Sequence, residues 1–446
     1  MNMKNIELFK RAIFPILWDN GSYNFLHLEI NLKDTASKQA LIKEKEQATC
    51  FVTLVHEYIH YIQNFTTTWG FTNFITYVDL FAVFFGDNIL LDADPDLPLI
   101  KGIINKKFGS KNYLNFLKSS FLGITKGSGG EFVFQNTDKP DFEIIESTLI
   151  DPYWLKEVYV PYLSYSGKQI PLNEIVLSEN MAIVGSYLSS GLTIEESKQT
   201  IDKYWGPQYH IIYSFLNNLF PDKNCLKLTY NICESSLLIV PYNKTISKIL
   251  IYLKDNLESL KLESEDEIIK RILHHIHFVD SLNIIITKAL EQLDSRVQTF
   301  KKYKENYEFY NYLLDILAIF KIGLAERLKI KHSYRDHLDS EFLNYFSKKI
   351  YSPILVFADK QKTMLGDPEE DFVNSIAYFN GVLKIFHTAY FQEIQKCPFF
   401  EEYSICTFNK GTECETSALE VYSKEKYSGC LMTNALNIIG IRKKNR

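Results

Sequence analysis

The chain lacks any uninterrupted apolar run of about 18 residues, the length needed to cross a bilayer. An export signal is not expected either. Met1-Asn2-Met3-Lys4-Asn5-Ile6 carries a single lysine, the apolar run from Ala12 to Trp18 is broken by Pro15, and no small-x-small cleavage pattern follows. The expectation is a cytoplasmic protein that makes no use of a membrane. A sustained basic stripe is missing too. With 49 basic and 54 acidic residues the net charge is −5, and the basic tail Arg442-Lys443-Lys444-Asn445-Arg446 reads as a solvated end. Nucleic acid is therefore not the expected partner. Cysteine is sparse and odd in number, seven in 446 residues. Without an export signal, that fits reduced thiols better than a disulfide framework. There is no internal repeat and no low-complexity tract.

What the chain has is a 46% hydrophobic content, which excludes disorder, and a length that buries a large core. Within it stands His56-Glu57-Tyr58-Ile59-His60, an H-E-x-x-H pattern. On a helix, positions i and i+4 lie one above the other, so both imidazoles project from one face. Two neutral imidazoles so placed can hold Zn²⁺, and the adjacent glutamate can act on a metal-activated water. The surrounding segment, Cys50 to Phe65, contains neither Gly nor Pro. Val52, Leu54, Val55, Ile59, Ile62 and Phe65 cover most of its circumference, so the helix is expected to be buried. Buried histidines and a buried glutamate are costly unless paired. A metal site satisfies them; the plainer alternative is a pair of hydrogen-bonded core histidines.

Residues 22–32 alternate apolar and polar and read as a strand. Residues 36–68 read as one long helix carrying the motif, with Trp69-Gly70 as its stop, and 71–86 as a second buried helix. The stretch from about 92 to 175 changes character: it is loop-rich, has short apolar segments, and carries a hairpin pattern over 159–170. From about 175 to 395 nearly everything reads as helix. The expected class is mainly α, or α+β, in three parts. Residues 1–240 form a catalytic region with a small N-terminal sheet and a β-containing insertion near 92–175. Residues 241–395 form a helical domain, and 396–446 a cysteine-bearing cap.

A catalytic zinc site takes three protein ligands and one open position. The longer pattern H-E-x-x-H-x-x-G-x-x-H is excluded, because position 63 is Gln and position 66 is Thr. The leading candidate for the third ligand is Glu179, a carboxylate near the start of the small and apolar run Leu177 to Leu188. Ala182 lies one turn later on the same face, where a small residue lets a second helix approach. Two acids compete with it: Asp79 in the expected helix 71–86, and Glu234 in the apolar run Asn231 to Val240. Glu234 reads either as a group orienting a ligand histidine or as a core acid.

His56-Glu57-Tyr58-Ile59-His60 followed by Glu179-Asn180-Met181-Ala182 resembles the gluzincin branch of zinc metalloproteases. The segments around 179–182 and 232–238 are also similar to bacterial H-E-x-x-H proteins. The resemblance covers the motif helix and about 60 residues around 177–240. It implies a zincin-like helical core built on the motif helix and a second, Glu-bearing helix, a Zn²⁺ held by His56, His60 and Glu179, Glu57 as general base, and hydrolysis of peptide bonds in a protein or peptide substrate. Tyr204, Tyr209 and His210 are candidates for a donor to the developing oxyanion, because they closely follow the Glu179 segment.

Other clusters carry less chemistry. His274 and His277 stand at i, i+3 with no third ligand evident and read as a polar helix face. Cys397, Cys406, Cys414 and Cys430 crowd the tail, but their spacing matches no C-x₂-C pattern; packed thiols or a second metal site both fit. Two other functional classes stand beside the peptidase. One is a non-catalytic zincin-like scaffold that binds or senses, with the helical region 243–395 holding a regulatory protein partner. The other is a triggered proteolytic toxin or anti-phage effector, suggested by a composition rich in Lys, Ile, Asn and Tyr that points to a bacterial origin.

Overall fold

In a computed structural model of the chain, the residues described are 21–24, 29–32, 48–72, 74–75, 89–91, 142–151, 156–165, 168–190, 192–204, 207–301, 309–329, 334, 353–357, 362–363 and 441–443. Taken in chain order, the first half holds β1 (Gly21–Asn24), β2 (Glu29–Leu32), α1 (Ala48–Thr66), β3 (Ile89–Leu91), β4 (Phe142–Asp151), β5 (Lys156–Tyr165), β6 (Lys168–Pro171), α2 (Glu174–Ser189), α3 (Ile194–Tyr204) and α4 (Pro207–Leu219). There follow α5 (Cys225–Leu238), α6 (Tyr242–Asp255), α7 (Leu257–Leu260), α8 (Glu265–His275), α9 (Phe278–Lys301), α10 (Phe309–Lys329), β7 (Ile354–Phe357), β8 (Lys362–Thr363) and β9 (Ile441–Lys443). The fold is mainly helical, with small sheets. No helix among the described residues is long and apolar enough to cross a membrane.

The described residues fall into two compact units. One lies within Met1–Thr72, Lys118–Glu291 and Phe320–Gly366, the other within Asn73–Leu117, Gln292–Ile319 and Asp367–Arg446. In the second unit β3 and β9 pair in parallel, Ile89 opposite Ile441. The first unit holds the H-E-x-x-H helix and two sheets.

One of these sheets has the order β1-β2-β7-β8. The alternating segment 22–32 proves to be two strands rather than one: β1 and β2 pair antiparallel, with Gly21 opposite Leu32 and Asn24 opposite Glu29. A continuous alternation cannot show where a chain reverses. β2 then pairs in parallel with β7, Glu29 opposite Ile354, and β7 antiparallel with β8. β7 and β8 lie within the stretch expected to be helical. Ile354-Leu355-Val356-Phe357 is a short run of strand formers after Pro353, and an apolar run of that length carries no periodicity to distinguish strand from helix.

The other sheet is the antiparallel β4-β5-β6, in register from Phe142 opposite Tyr165 to Asp151 opposite Lys156, and from Tyr162 opposite Pro171 to Tyr165 opposite Lys168. The hairpin expected over 159–170 is present here; the rest of the expected insertion, 92–141, lies outside the described residues. β6 leads directly into α2. The Asn173 side chain accepts a hydrogen bond from the Val176 N–H at 3.0 Å and caps the helix, while Glu174 favours its positive end.

α1 is buried as its pattern requires. Leu54, Val55, Tyr58, Ile59, Ile62 and Phe65 are at most 2% exposed. The helix packs on β1 and β2 and on α2. Each such apolar side chain contributes about 1.5–3 kcal/mol on burial. Trp69-Gly70 is not the stop that the sequence suggested. The chain bends at Thr67 and resumes helical geometry over 68–72. The Thr67 hydroxyl donates to the Gln63 carbonyl at 2.6 Å and accepts from the Gly70 N–H at 3.1 Å, which carries the chain through the bend. Thr68 donates to the last carbonyls of α5, Leu237 at 3.1 Å and Leu238 at 2.9 Å, satisfying acceptors that a helix end leaves orphaned.

α2 is buried on all sides, every residue from Val176 to Tyr187 included, because α1, α4 and α5 surround it. Its closest approach is at Gly185. A Cβ placed there would sit 2.5 Å from Ile59 Cδ1 of α1 and 2.9 Å from Tyr230 Cε2 of α5. Ala182, fully buried, is the small residue one turn from Glu179 that the sequence pointed to.

Candidate metal centre

α1 carries His56 and His60 on one face, with Glu57 next to His56 in the chain, and α2 brings Glu179 against the two histidines. Three donor atoms converge. His56 Nε2 and His60 Nε2 are 3.2 Å apart, and Glu179 Oε2 lies 3.4 Å from each. The two imidazole planes are nearly perpendicular, at 85°. This trio is the one group of metal-ligating side chains found close together among the described residues.

The triangle has the dimensions of a zinc site. Tetrahedral bonds of about 2.0–2.1 Å place neighbouring ligand atoms about 3.3–3.4 Å apart. The edges of 3.2, 3.4 and 3.4 Å match that face. Three acceptor-type donors held so close favour a positive charge among them, which a proton or a metal ion can supply. The environment shows the same demand: in the absence of metal His60 binds a proton unusually tightly, with its pKa up at about 9. Burial is the strongest single influence and pulls it down, but the charge and hydrogen bond of Glu179, the charge of Glu57 and the hydrogen bond of Gln63 together outweigh burial. Glu179 is held down at about 2: burial alone would raise it, and His60 and His56 overcome that.

Behind His60 lies a hydrogen-bonded relay between the two helices. Gln63 Nε2 donates to the Ser178 carbonyl at 3.0 Å, which fixes the orientation of the amide. Gln63 Oε1 then accepts from Ser178 Oγ at 2.5 Å and from His60 Nδ1 at 2.9 Å. Ser178 Oγ is 3.0 Å from the same Nδ1. With its proton on Nδ1, the neutral His60 ring presents a lone pair at Nε2, toward His56 and Glu179. Neither Gln63 nor Ser178 was flagged by sequence reasoning; Gln63 entered only as the residue that broke a longer motif. The usable signal was the i, i+3 spacing from His60 on one helix face.

Glu57 is 3% exposed and sits one position along α1 from His56, three from His60. The remaining candidates divide. Glu234 does not orient a ligand histidine. It is a core acid, 3.0 Å from Arg327 Nη1, and its Oε1 also accepts from the Tyr334 N–H at 3.3 Å. Buried carboxylates need a cationic partner, and here an arginine from α10 supplies it. Asp79 and the four tail cysteines lie outside the described residues; Cys225 and Cys233 are buried free thiols. His210 is buried on α4 with Nδ1 2.7 Å from Ser214 Oγ, and Tyr209 beside it is half-buried. Of the Tyr204 side chain nothing is described. His274 and His277 are exposed, with ring centroids 6.4 Å apart, and belong to no metal-ligating group. No family model, curated protein or solved structure matches the chain.

Proposed function

We propose that the protein is a zinc-dependent hydrolase acting on peptide bonds, with a zincin-like core in which α1 and α2 supply the ligands. The carrying observation is the triangle of His56 Nε2, His60 Nε2 and Glu179 Oε2, whose edges suit a tetrahedral Zn²⁺. When bound, the ion supplies a Lewis acid that polarises a carbonyl and acidifies water. The chain's own residues do the rest. His56, His60 and Glu179 would hold the ion. Glu57, buried beside them, holds a carboxylate that takes the proton of an attacking water and delivers it to the leaving amine. Because the ligand face is only slightly exposed, bulk water is largely kept from the reacting groups, which strengthens each electrostatic interaction there. The test is Glu57→Gln. That variant should retain one zinc per chain and lose hydrolysis of an unstructured protein substrate by at least about 100-fold. Retained zinc with undiminished cleavage removes Glu57 as base; absence of zinc from the unaltered protein removes the reading altogether.

A further inference from the structure

The three candidate ligands come from two helices, so some contact must set α1 against α2 at the level of the metal. The apolar packing sets the distance between the helices only approximately. At the ligand level the contact is polar; outside the ligands themselves Gln63 makes most of it, beside Ser178 Oγ, which lies 3.0 Å from His60 Nδ1. Gln63 is fully buried and uses its amide in three directions. Its oxygen faces His60 Nδ1 at 2.9 Å and Ser178 Oγ at 2.5 Å, and its nitrogen faces the Ser178 carbonyl at 3.0 Å. Ser178 precedes Glu179 directly, so fixing the Ser178 backbone fixes the root of the carboxylate.

We infer that Gln63 is the positioning residue of the centre: it holds the His60 ring with Nε2 toward the metal, and at the same time pins the segment that presents Glu179. This rests on the metal-site reading above. The polarity is determined by chemistry alone. A backbone carbonyl only accepts, so the amide group facing Ser178 O is the NH₂. The oxygen is thereby turned to His60, and an oxygen acceptor selects the ring form that carries its proton on Nδ1. A hydrocarbon at position 63 has neither property. A glutamate keeps the acceptor for Nδ1–H and loses the donor to Ser178 O. A histidine ligand held by an oxygen acceptor is the usual outer partner of a zinc-bound imidazole. Here the partner also reaches across to the helix bearing the third ligand.

The experiment uses the full chain and metal ions alone. Zn²⁺ affinity is measured by competition with a chromophoric chelator, and Co²⁺ is added separately so that its visible absorption reports ligand geometry. Gln63→Leu should weaken Zn²⁺ binding by about 10–100-fold and alter the Co²⁺ band, and Gln63→Glu should recover to within about tenfold of the parent. Should Gln63→Leu fail to fold, Gln63→Met, which also lacks both the acceptor and the donor, serves instead, with the same expected loss and a shifted Co²⁺ band. Parent-like affinity and an unchanged Co²⁺ spectrum in the folded Leu or Met variant overturn the inference. Equal losses in the Leu and Glu variants overturn it as well, since a space-filling role would not distinguish them. A parent protein that binds Zn²⁺ only while His56 and Glu179 are intact, beside an unaffected Gln63→Leu, removes this inference and leaves the metal site standing. A parent that binds no Zn²⁺ removes both.

Discussion

Arg327 on α10 and Glu234 on α5 form an ion pair at 3.0 Å, with Arg327 1% and Glu234 3% exposed. The guanidinium also lies over the Tyr334 ring, 4.4 Å from its centroid, and the Tyr334 N–H donates to the same carboxylate. α10 also approaches α1 so nearly that Gly323 lies against the Phe65 carbonyl, and the Phe320 and Phe65 rings are 4.4 Å apart.

Removing either partner of that pair strands a buried charge. Glu234→Ala or Arg327→Ala should therefore cost about 3–5 kcal/mol of stability, read from urea unfolding. Replacing both by apolar residues of similar volume should recover most of the loss. Zinc binding by the folded fraction should persist in each variant, because Glu234 serves Arg327 and not the metal. A single substitution costing under about 1 kcal/mol would show that the pair is solvated in solution.

The pair also shows what a sequence can and cannot say about this fold. A lone acid in the apolar run Asn231 to Val240 is visible as an anomaly, but its partner stands on another helix far along the chain. The same holds for Gln63 and Ser178: each is unremarkable locally, and the hydrogen bonds joining them depend on how α1 meets α2. β7 was hidden for a related reason, since its pairing with β2 spans most of the chain. That His56, His60 and Glu179 lie together was legible because each violates its surroundings. All three are costly polar groups in helices otherwise built for burial, and such a cost implies a partner before the partner is seen.

Glu179 is the proposed third ligand. Glu179→Ala should lower Zn²⁺ affinity by more than the roughly 10–100-fold expected for an outer partner, and His56→Ala or His60→Ala should do the same. Zinc content after dialysis against a weak chelator is the readout. Full retention in Glu179→Ala would transfer the role to another carboxylate and dissolve the triangle as a site.

The pH dependence has a definite sign. In the metal-free protein His60 is up at about 9 against an ordinary 6.5, so its share of stability is complete below 6.5 and is lost as pH rises through 9. Glu179 is down at about 2 against 4.5, so its share is complete above 4.5 and is lost as pH falls toward 2. The metal-free protein should thus be most stable between these, near pH 4.5 to 6.5 as far as this site decides. Zinc requires the neutral ring, so binding at pH 7 must expel a proton from His60. Affinity should rise about tenfold per pH unit from 7 toward 9 and then level off. Calorimetry in buffers of different ionisation enthalpy should count about one proton released per zinc at pH 7. A flat affinity profile with no proton release would show that His60 is already neutral there.

Helix spacing should matter to the metal as much as to stability. Gly185→Ala places a methyl 2.5 Å from Ile59 Cδ1 and 2.9 Å from Tyr230 Cε2, so α2 must move away from α1 or those side chains must leave their rotamers. Overpacking of this kind costs about 1–3 kcal/mol. Ile59 precedes His60 directly, and Gly185 lies on the same helix as Glu179, so the displacement also stretches the ligand triangle. Gly185→Ala should weaken zinc binding as well as lower the unfolding midpoint. Ile59→Val removes the nearer obstructing methyl; combined with Gly185→Ala it should restore part of both losses, a coupling that a double-mutant cycle measures directly. Strict additivity of the two substitutions would mean that the helices have room to part at Gly185, and that the ligand triangle is set elsewhere.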